Sequence, residues 1–479
     1  MANDRKPKDP LPTGLFQRSA RLAGQTSRSA ARFVGTRMKS FADPERAQEF
    51  LDDFHMQTAE QLVDMLGEMK GAAMKLGQIA SFYEFSGADE TISTYRDKLT
   101  MLQNSAPPMD PAASKAVIEQ EFGRPVGKIF ATFEEQPVAS ASIGQVHRAT
   151  LFSGETVAVK VQYPGVDEAV RADLKNLSAM MKLSVALAPN VDPKEVTDEV
   201  RARVLEELDY RREAVSQQRF TELFKGHPFV VIPDVYPDLC RKRVITQEFI
   251  EGKPFSSALD WSQERRDALA EVLFRFFYGS LNRFRLFSAD PHPGNYLLLP
   301  RGKVAFLDFG LVREVDAQSL DLLHEIVWSL IDDDQERARQ ALERMGILTR
   351  NTPEIDAIWG HLKTINGLVL EDRDLTVDPP LVQKMTAAGM DPRSPAFQTL
   401  RKVGLPGVIV TLNRMSFGVV SLLGRLGATA NWHRIAREVW FKEASRTRLG
   451  KQEERWLREA HPELASAPAP APESAAPRT

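Results

Sequence analysis

Apolar positions Leu62, Met65, Leu66, Met69, Ala73 and Leu76 recur at three- and four-residue steps, a spacing that predicts helix over about 45–103. Pro107 and Pro108 close that region. The pattern then changes: residues 156–163 (TVAVKVQY) alternate and are rich in β-branched side chains, predicting a strand entered through the turn Ser153-Gly154. Helical periodicity returns over about 167–188 and 194–224, the second stretch with Val196, Val200, Val204 and Leu208 in an i, i+4 stripe. Two strand-like runs, FVVIPDVY and RVITQEFI, flank the turn-like PDLCRK. Beyond Trp261 the pattern is helical, interrupted by NYLLLPRGKVAFLDFG, a predicted hairpin with its turn at Pro300-Arg301-Gly302. The longest apolar stretch, 403–423, is broken by Asn413 and Arg414, so a membrane span is not expected.

A small strand-bearing lobe therefore precedes a larger helical one, linked near 248–252. The division is 1–44, a basic amphipathic segment; 45–110, a helical extension; 111–250, the small lobe with inserted helices; 251–445, the helical lobe; and 446–479, a helix end and Pro/Ala-rich tail. With 43% hydrophobic and 27% charged residues, the 479-residue chain has ordinary globular usage, which excludes wholesale disorder. The single cysteine, Cys240, excludes an internal disulfide and any Cys-based zinc cluster. The tail SAPAPAPESAAPRT cannot build a core and is expected to be disordered.

Net charge is −3, but residues 1–42 hold nine Lys/Arg against two Asp, so the remainder carries −10 and is no polyanion-binding body. Across 13–41, Arg18, Arg21, Arg28, Arg32 and Lys39 fall on one helical side, and Leu15, Phe16, Leu22, Phe33, Val34 and Phe41 on the other. Such a segment can lie on an anionic membrane surface, pack on the body, or serve as a basic tail or cleaved transit peptide. The residues leave these open. No secretory signal is evident, and basic-aromatic alternation suited to nucleic acid is missing.

Candidate chemistry sits in an ordered set. Lys160 lies mid-strand in VAVKV, where an ammonium needs an anion to meet, and Glu207 lies on the following predicted helix. Asp290 and Asn295 are five residues apart in SADPHPGNYLL, and Asp308 follows in FLDFG, 18 positions after Asp290. This is the order of phosphoryl-transfer parts in protein kinases: strand lysine, helix glutamate, catalytic Asp and Asn, then the DFG aspartate. Lys160 would meet two phosphates while Glu207 holds its ammonium; Asn295 and Asp308 offer hard oxygen ligands for Mg²⁺; Asp290 would orient or deprotonate the attacking hydroxyl or water. Each alone is weak, since strand lysines are usually surface groups and helix glutamates are mostly solvated. The ordered spacing in matching contexts carries the argument. His292, between two prolines, is expected to shape its loop, and the six tryptophans to pack helices.

The departures from protein kinases are equally specific. In place of a Gly-x-Gly-x-x-Gly loop stands Ala139-Ser140-Ala141-Ser142-Ile143-Gly144-Gln145. Its alanine methyls restrict backbone approach to phosphate, so nucleotide binding is expected to be altered. There is no His-Arg-Asp, and the chain runs from Asp308-Phe309-Gly310 almost directly into helical DAQSLDLLHEIVWSLI, without a long activation segment or Ala-Pro-Glu.

With Lys75-Leu76-Gly77-Gln78, ASASIGQVH, Glu207-Leu208-Asp209, DPHPGN and DFG in order, the chain resembles the UbiB/AarF family of atypical kinases over about 60–315, and more weakly to about 440. The resemblance implies an α+β, helix-rich, two-lobed kinase-like fold with an added N-terminal helical region. Lys75, Gly77 and Gln78 would then cover the active site where a peptide would bind. It implies ATP and Mg²⁺ as cofactors, with Ala139, Ser140, Ala141, Ser142, Ile143, Gly144, Gln145, Lys160 and Glu248 around the nucleotide. It also implies ATPase or small-molecule kinase activity supporting isoprenoid-quinone (ubiquinone-type) biosynthesis or membrane lipid homeostasis. Expected partners are nucleotide and an anionic membrane surface or lipid-like small molecule. The expected location is cytoplasmic, with a peripheral station at the inner face of the membrane. The alternatives are a non-catalytic ATP-binding scaffold for a quinone- or lipid-handling complex, and a phosphotransferase of the aminoglycoside or choline type. The latter gives no reason for the Ala-rich loop or for Lys75-Leu76-Gly77-Gln78. The acceptor and the oligomeric state stay open.

Overall fold

A computed structural model of the chain describes residues 111–141, 143–168, 170–171, 206, 208–348, 355–390 and 407–465. The basic segment, the helical extension with Lys75, Gly77 and Gln78, the residues Ser142 and Glu207, and the Pro/Ala-rich tail lie outside the described residues.

Helix α1 (Pro111–Phe122) and the short strands β1 (Thr132–Phe133) and β2 (Ala139–Ala141) lead into the long antiparallel pair β3 (Gly144–Thr150) and β4 (Thr156–Gln162). With β6 (Val244–Glu248) the sheet order is β1-β3-β4-β6, and β2 pairs with β3. Alternation along β4 decides its two faces. Val157, Val159 and Val161 are fully buried in a cluster with Val117 and Ile118 of α1. Lys160, out of phase with them, is left on the opposite face. Burying each such valine contributes roughly 1.5 kcal/mol or more, so the register that presents Lys160 there is well determined.

Helix α2 (Tyr210–Leu223) crosses that second face. Periodicity predicts one helix from 194 to 224, but the chain turns at Leu208 and is non-helical at Asp209. The Asp209 carboxylate accepts the Arg211 N–H and caps a new helix, as a short acceptor at an N-cap does. The buried face of α2 is Tyr210, Glu213, Ala214, Gln217 and Phe220.

FVVIPDVY also departs from expectation. Its strand, β5 (Val230–Val231), runs parallel to a strand of the large lobe, and Val235 makes an isolated bridge to Gln247 of β6. Pro237–Leu239 form a 3-10 turn where a simple turn was expected.

Strand β7 (Lys253–Pro254) opens the large lobe, followed by the core helix α3 (Gln263–Phe284). Val272, Leu273, Phe274, Phe276, Phe277 and Leu281 bury it, and Arg285 ends it in the left-handed region with φ 56°. Strand β8 (Leu286–Ser288) leads to the predicted hairpin of β9 (Tyr296–Leu298) and β10 (Val304–Phe306), whose turn holds Arg301 at φ 62° and Gly302 at φ 76°. The order of this second sheet is β5-β10-β9-β7. Strand β11 (Val312–Glu314) pairs back onto β8.

Among the described residues, helices α4 (Ala317–Asp332), α5 (Gln335–Arg344), α6 (Ile355–Ile365), α7 (Pro379–Met390), α8 (Gly407–Leu426), α9 (Trp432–Phe441) and α10 (Arg448–Ala460) follow in the lobe. α9 and α10 are tied to α3 by a buried charge cluster: Arg275 donates to Glu271, Glu438 and Glu453, and Arg283 to Glu453. α8 is long and apolar enough to cross a membrane by length and composition, yet half of its most apolar window is buried inside the protein. It packs on α3 and α7, and the arginine that interrupts its apolar pattern turns inward. The architecture is an α+β, helix-rich, two-lobed kinase-like fold, as the resemblance implied.

Candidate active site

β4 and α2 bring the first pair together. The Lys160 ammonium donates to Glu213 Oε1 at 2.9 Å and Oε2 at 3.2 Å, and lies 3.5 Å from Asp308 Oδ2. Its Nζ also stands 5.0 Å from the centroid of the Tyr210 ring. Burial by itself would favour the neutral amine, but the Asp308 and Glu213 carboxylates override it and hold the lysine well above its ordinary pKa. Lys160 is therefore a fixed cation at neutral pH.

The carboxylate on Lys160 is thus Glu213, six residues beyond the expected Glu207, which lies outside the described residues. The new start of α2 explains the shift, because it sets the phase of the helix that faces β4.

Asp308 sits just after β10. Its Oδ1 accepts the Gly310 N–H at 3.0 Å while Oδ2 faces Lys160. Phe309 is buried, its ring 4.8 Å from that of Phe220 on α2. The DFG phenylalanine therefore braces the same helix that carries Glu213, seven residues earlier and on the same face.

Asp290 follows β8, whose pairing with β11 continues as the Ala289 N–H donating to Leu311 O at 2.8 Å. Asn295 closes the loop. Its amide nitrogen donates to Asp290 O at 3.2 Å and to Asp290 Oδ2 at 3.3 Å, while its own carbonyl accepts the Leu307 N–H. His292 Nδ1 accepts the Gly294 N–H, so it shapes the loop as expected. On the far side, Arg414 of α8 donates from Nη2 to Asp290 Oδ1 at 2.8 Å.

The donor set fits a hard divalent cation. With its amide nitrogen turned to Asp290, Asn295 keeps its side-chain oxygen for a cation, and Asp308 adds carboxylate oxygen. Among the described residues no group of three or more His, Cys, Asp or Glu is placed to hold a metal. Two oxygen ligands suit Mg²⁺, which keeps waters and takes its other ligands from phosphate.

The Ala-rich segment forms the β2–β3 hairpin, with Ala139 opposite Val146, Ser140 opposite Gln145 and Ala141 opposite Gly144. Gly144 is required by close approach: a Cβ there would lie 2.2 Å from Val161 O on β4. Ile143 packs into the cluster with Leu208, Tyr210 and Ala214. Gln145 differs from expectation. Its side chain is buried, with Nε2 donating to Ser114 Oγ at 2.8 Å and lying 3.0 Å from His147 Nε2. It faces α1, on the opposite side of the sheet from Lys160, so it can meet a nucleotide only through its backbone. Glu248, at the end of β6, has its carboxylate 3.4 Å from the Asp234 N–H, beside the link between lobes.

Three residues at the site escaped the sequence reading as participants: Glu213, Tyr210 and Arg414. For Glu213 the signal was an acceptor at Asp209 followed by an apolar-faced helix. For Arg414 it was a charge inside an otherwise apolar stretch, read there only as a break.

This geometry can be set beside known proteins. "Atypical kinase COQ8B, mitochondrial" of Rattus norvegicus is 34% identical over 61% of this chain and 55% of its own length. "Protein ACTIVITY OF BC1 COMPLEX KINASE 1, chloroplastic" of Arabidopsis thaliana is 32% identical over 63% of this chain and 45% of its own. The chain thus spans about half the length of these curated relatives. An uncharacterized protein of Synechocystis is 34% identical over 59% of this chain and 72% of its own length. A solved structure, Rv3197 of Mycobacterium tuberculosis in complex with erythromycin, is 31% identical, with a TM-score of 0.59 over 83% of this chain and all of that one. The pattern of the ABC1 atypical kinase-like domain matches residues 101–342, a span that holds Lys160, Glu213, Asp290, Asn295 and Asp308. By that match, and by the kinase-like arrangement of the five residues, the chain belongs to the ABC1 atypical kinase-like family, that of UbiB and COQ8.

Proposed function

We propose that this chain binds Mg·ATP between its lobes and cleaves the terminal phosphoryl bond, passing the group to water or to a small lipid-related acceptor. The observation that carries this reading is Lys160, held as a cation between Glu213 and Asp308. A lysine braced in that way is set to pair with phosphate oxygens rather than wander into solvent. Asn295 and Asp308 would hold Mg²⁺, which neutralises charge building on the phosphoryl oxygens. Asp290, with its carboxylate steadied by Asn295, would orient the attacking hydroxyl or water. The Ala139–Ala141 strand and Gly144 would lie over the phosphates, with Glu248 at the link.

Between Gly310 and α4 the chain has β11 and a capping Asp316. That short connection offers no platform for an extended peptide, which favours water or a small molecule as acceptor. The likeness to COQ8B supports a role in isoprenoid-quinone biosynthesis, and we place membrane lipid homeostasis beside it as part of the same proposal. The basic 13–41 segment would bring it to an anionic membrane surface, from the cytoplasm at the inner face of the membrane.

The test is Mg²⁺-dependent ATP turnover by the full chain and by Asp290→Asn, with and without anionic liposomes, alongside a chain lacking residues 1–42. Expected are turnover abolished in Asp290→Asn and liposome stimulation that needs the basic segment. Nucleotide binding with no turnover under either condition would reject the enzyme and favour an ATP-binding scaffold, whereas identical turnover in wild type and Asp290→Asn would take the catalytic role from Asp290.

A further inference from the structure

We infer that Arg414 is a positioning residue for the phosphoryl-transfer step, acting through Asp290 from a helix that starts more than a hundred residues beyond the catalytic loop. The inference rests on the reading of Asp290 given under Proposed function.

Folding alone gives no reason for this arginine. α8 is apolar enough to satisfy the length and composition of a membrane span, and Arg414 lies within it with a side chain only 11% exposed. A guanidinium in such surroundings costs more in desolvation than a packed apolar side chain of similar volume. Among its contacts is Asp290 Oδ1 at 2.8 Å, whose side chain is itself 15% exposed.

The catalytic loop brings no Lys or Arg of its own, since 290–295 reads Asp-Pro-His-Pro-Gly-Asn, and His292 Nδ1 accepts the Gly294 N–H. Arg414 supplies one from outside. Asp290 Oδ1 meets the arginine and Oδ2 meets the Asn295 amide, so the carboxylate plane is fixed from two sides. A carboxylate held in one plane presents its oxygens to a nucleophile's O–H in a set direction. Orientation of that nucleophile is then a property of α8 as much as of the loop.

One helical turn on, the backbone contact repeats the same link. A Cβ on Gly418 would lie 2.2 Å from Pro291 Cγ, so α8 rests against the loop where glycine permits it. Residues 414 and 418 share one face of the helix. Charge at the first and close packing at the second dock α8 on consecutive loop residues, Asp290 and Pro291.

The test compares wild type, Arg414→Ala, Arg414→Lys and Asp290→Asn, measuring kcat and KM for Mg·ATP, nucleotide affinity by direct binding, and rescue by millimolar guanidinium. Expected for Arg414→Ala is a kcat about 100-fold down with KM and nucleotide affinity little changed, as for loss of a preorganised catalytic interaction. Guanidinium should restore turnover to Arg414→Ala and not to Asp290→Asn, and Arg414→Lys should fall between. A residue that merely packs α8 would give no chemical rescue and no split between kcat and KM, and that result overturns the inference. So does wild-type kcat in either Arg414 variant while Asp290→Asn is dead. Should Arg414→Ala fail to fold, Arg414→Lys with intact nucleotide binding carries the same test. Equal turnover in wild type and Asp290→Asn overturns the catalytic reading of Asp290, and this inference with it, while absence of turnover in wild type overturns the enzyme reading itself.

Discussion

Lys160 Nζ lies 2.9 Å from Glu213 Oε1, joining the central strand of the small lobe to the helix that crosses it. Glu213 is 6% exposed, so the pair lies in a low-dielectric setting, where each charge depends on the other. Three elements meet there, because Asp308 approaches the same ammonium from the large lobe.

Glu213→Gln is expected to lower kcat/KM for Mg·ATP by about 100-fold, since Lys160 loses the fixed anion that aims it. Steady-state kinetics with a parallel nucleotide-binding titration checks this. Wild-type values would hand the role to another carboxylate, with Glu207 the first to examine.

Gly418→Ala forces the new methyl into Pro291. The proline belongs to the catalytic loop and cannot rotate away as a flexible side chain would. Stability should fall by about 1–3 kcal/mol, as in other overpacked sites, with a loss of turnover beyond that of the folded fraction. Urea melts and activity on the same preparation measure both, and a neutral substitution would mean the loop yields easily.

Arg275→Met removes the cation on which Glu271, Glu438 and Glu453 converge. Arg275 is 1% exposed, so the carboxylates left behind cannot be fully rehydrated without opening the lobe. A destabilisation of about 3–5 kcal/mol is expected from guanidine or urea unfolding. A smaller value would show that α9 and α10 are held mainly by their apolar contacts.

His324 bonds through Nε2 to Asn282 Oδ1, and burial lowers its pKa to about 4, with Asp321 opposing the shift. Below its ordinary value of 6.5 the unfolded chain takes up a proton here that the folded chain refuses. Unfolding is therefore linked to proton uptake, and the residue's contribution, complete above pH 6.5, is lost as pH falls toward 4. The urea midpoint of wild type should fall more steeply over that range than that of His324→Gln. Parallel slopes would contradict the assignment.

Much of the site was legible from local pattern. Alternation placed Lys160 mid-strand and out of phase with three valines, as β4 shows. The hairpin turn at Pro300-Arg301-Gly302 followed from the turn-forming proline and glycine. Spacing named Asp290, Asn295 and Asp308, and the fold brings Asp290 and Asn295 into contact across one loop.

Helix phase was less legible. A continuous i, i+4 stripe through Leu208 made one long helix look natural and pointed to Glu207. Asp209 competes with it, because its carboxylate accepts the Arg211 N–H and starts a helix at Tyr210, which sets the phase. Likewise the two faces of the Ala-rich hairpin cannot be told apart until α1 is seen to cover the side that holds Gln145 and His147.

By itself the sequence determined the kinase-like order of chemical groups and the strand and hairpin that carry them, because period-2 alternation, turn residues and short motif spacings are local. Only the tertiary structure decided which carboxylate meets Lys160, which face Gln145 takes, and that Arg414 of a late apolar helix reaches Asp290. Those choices depend on how distant elements pack. Burial removes water as a competing partner, so a charge must find its match wherever the fold brings one.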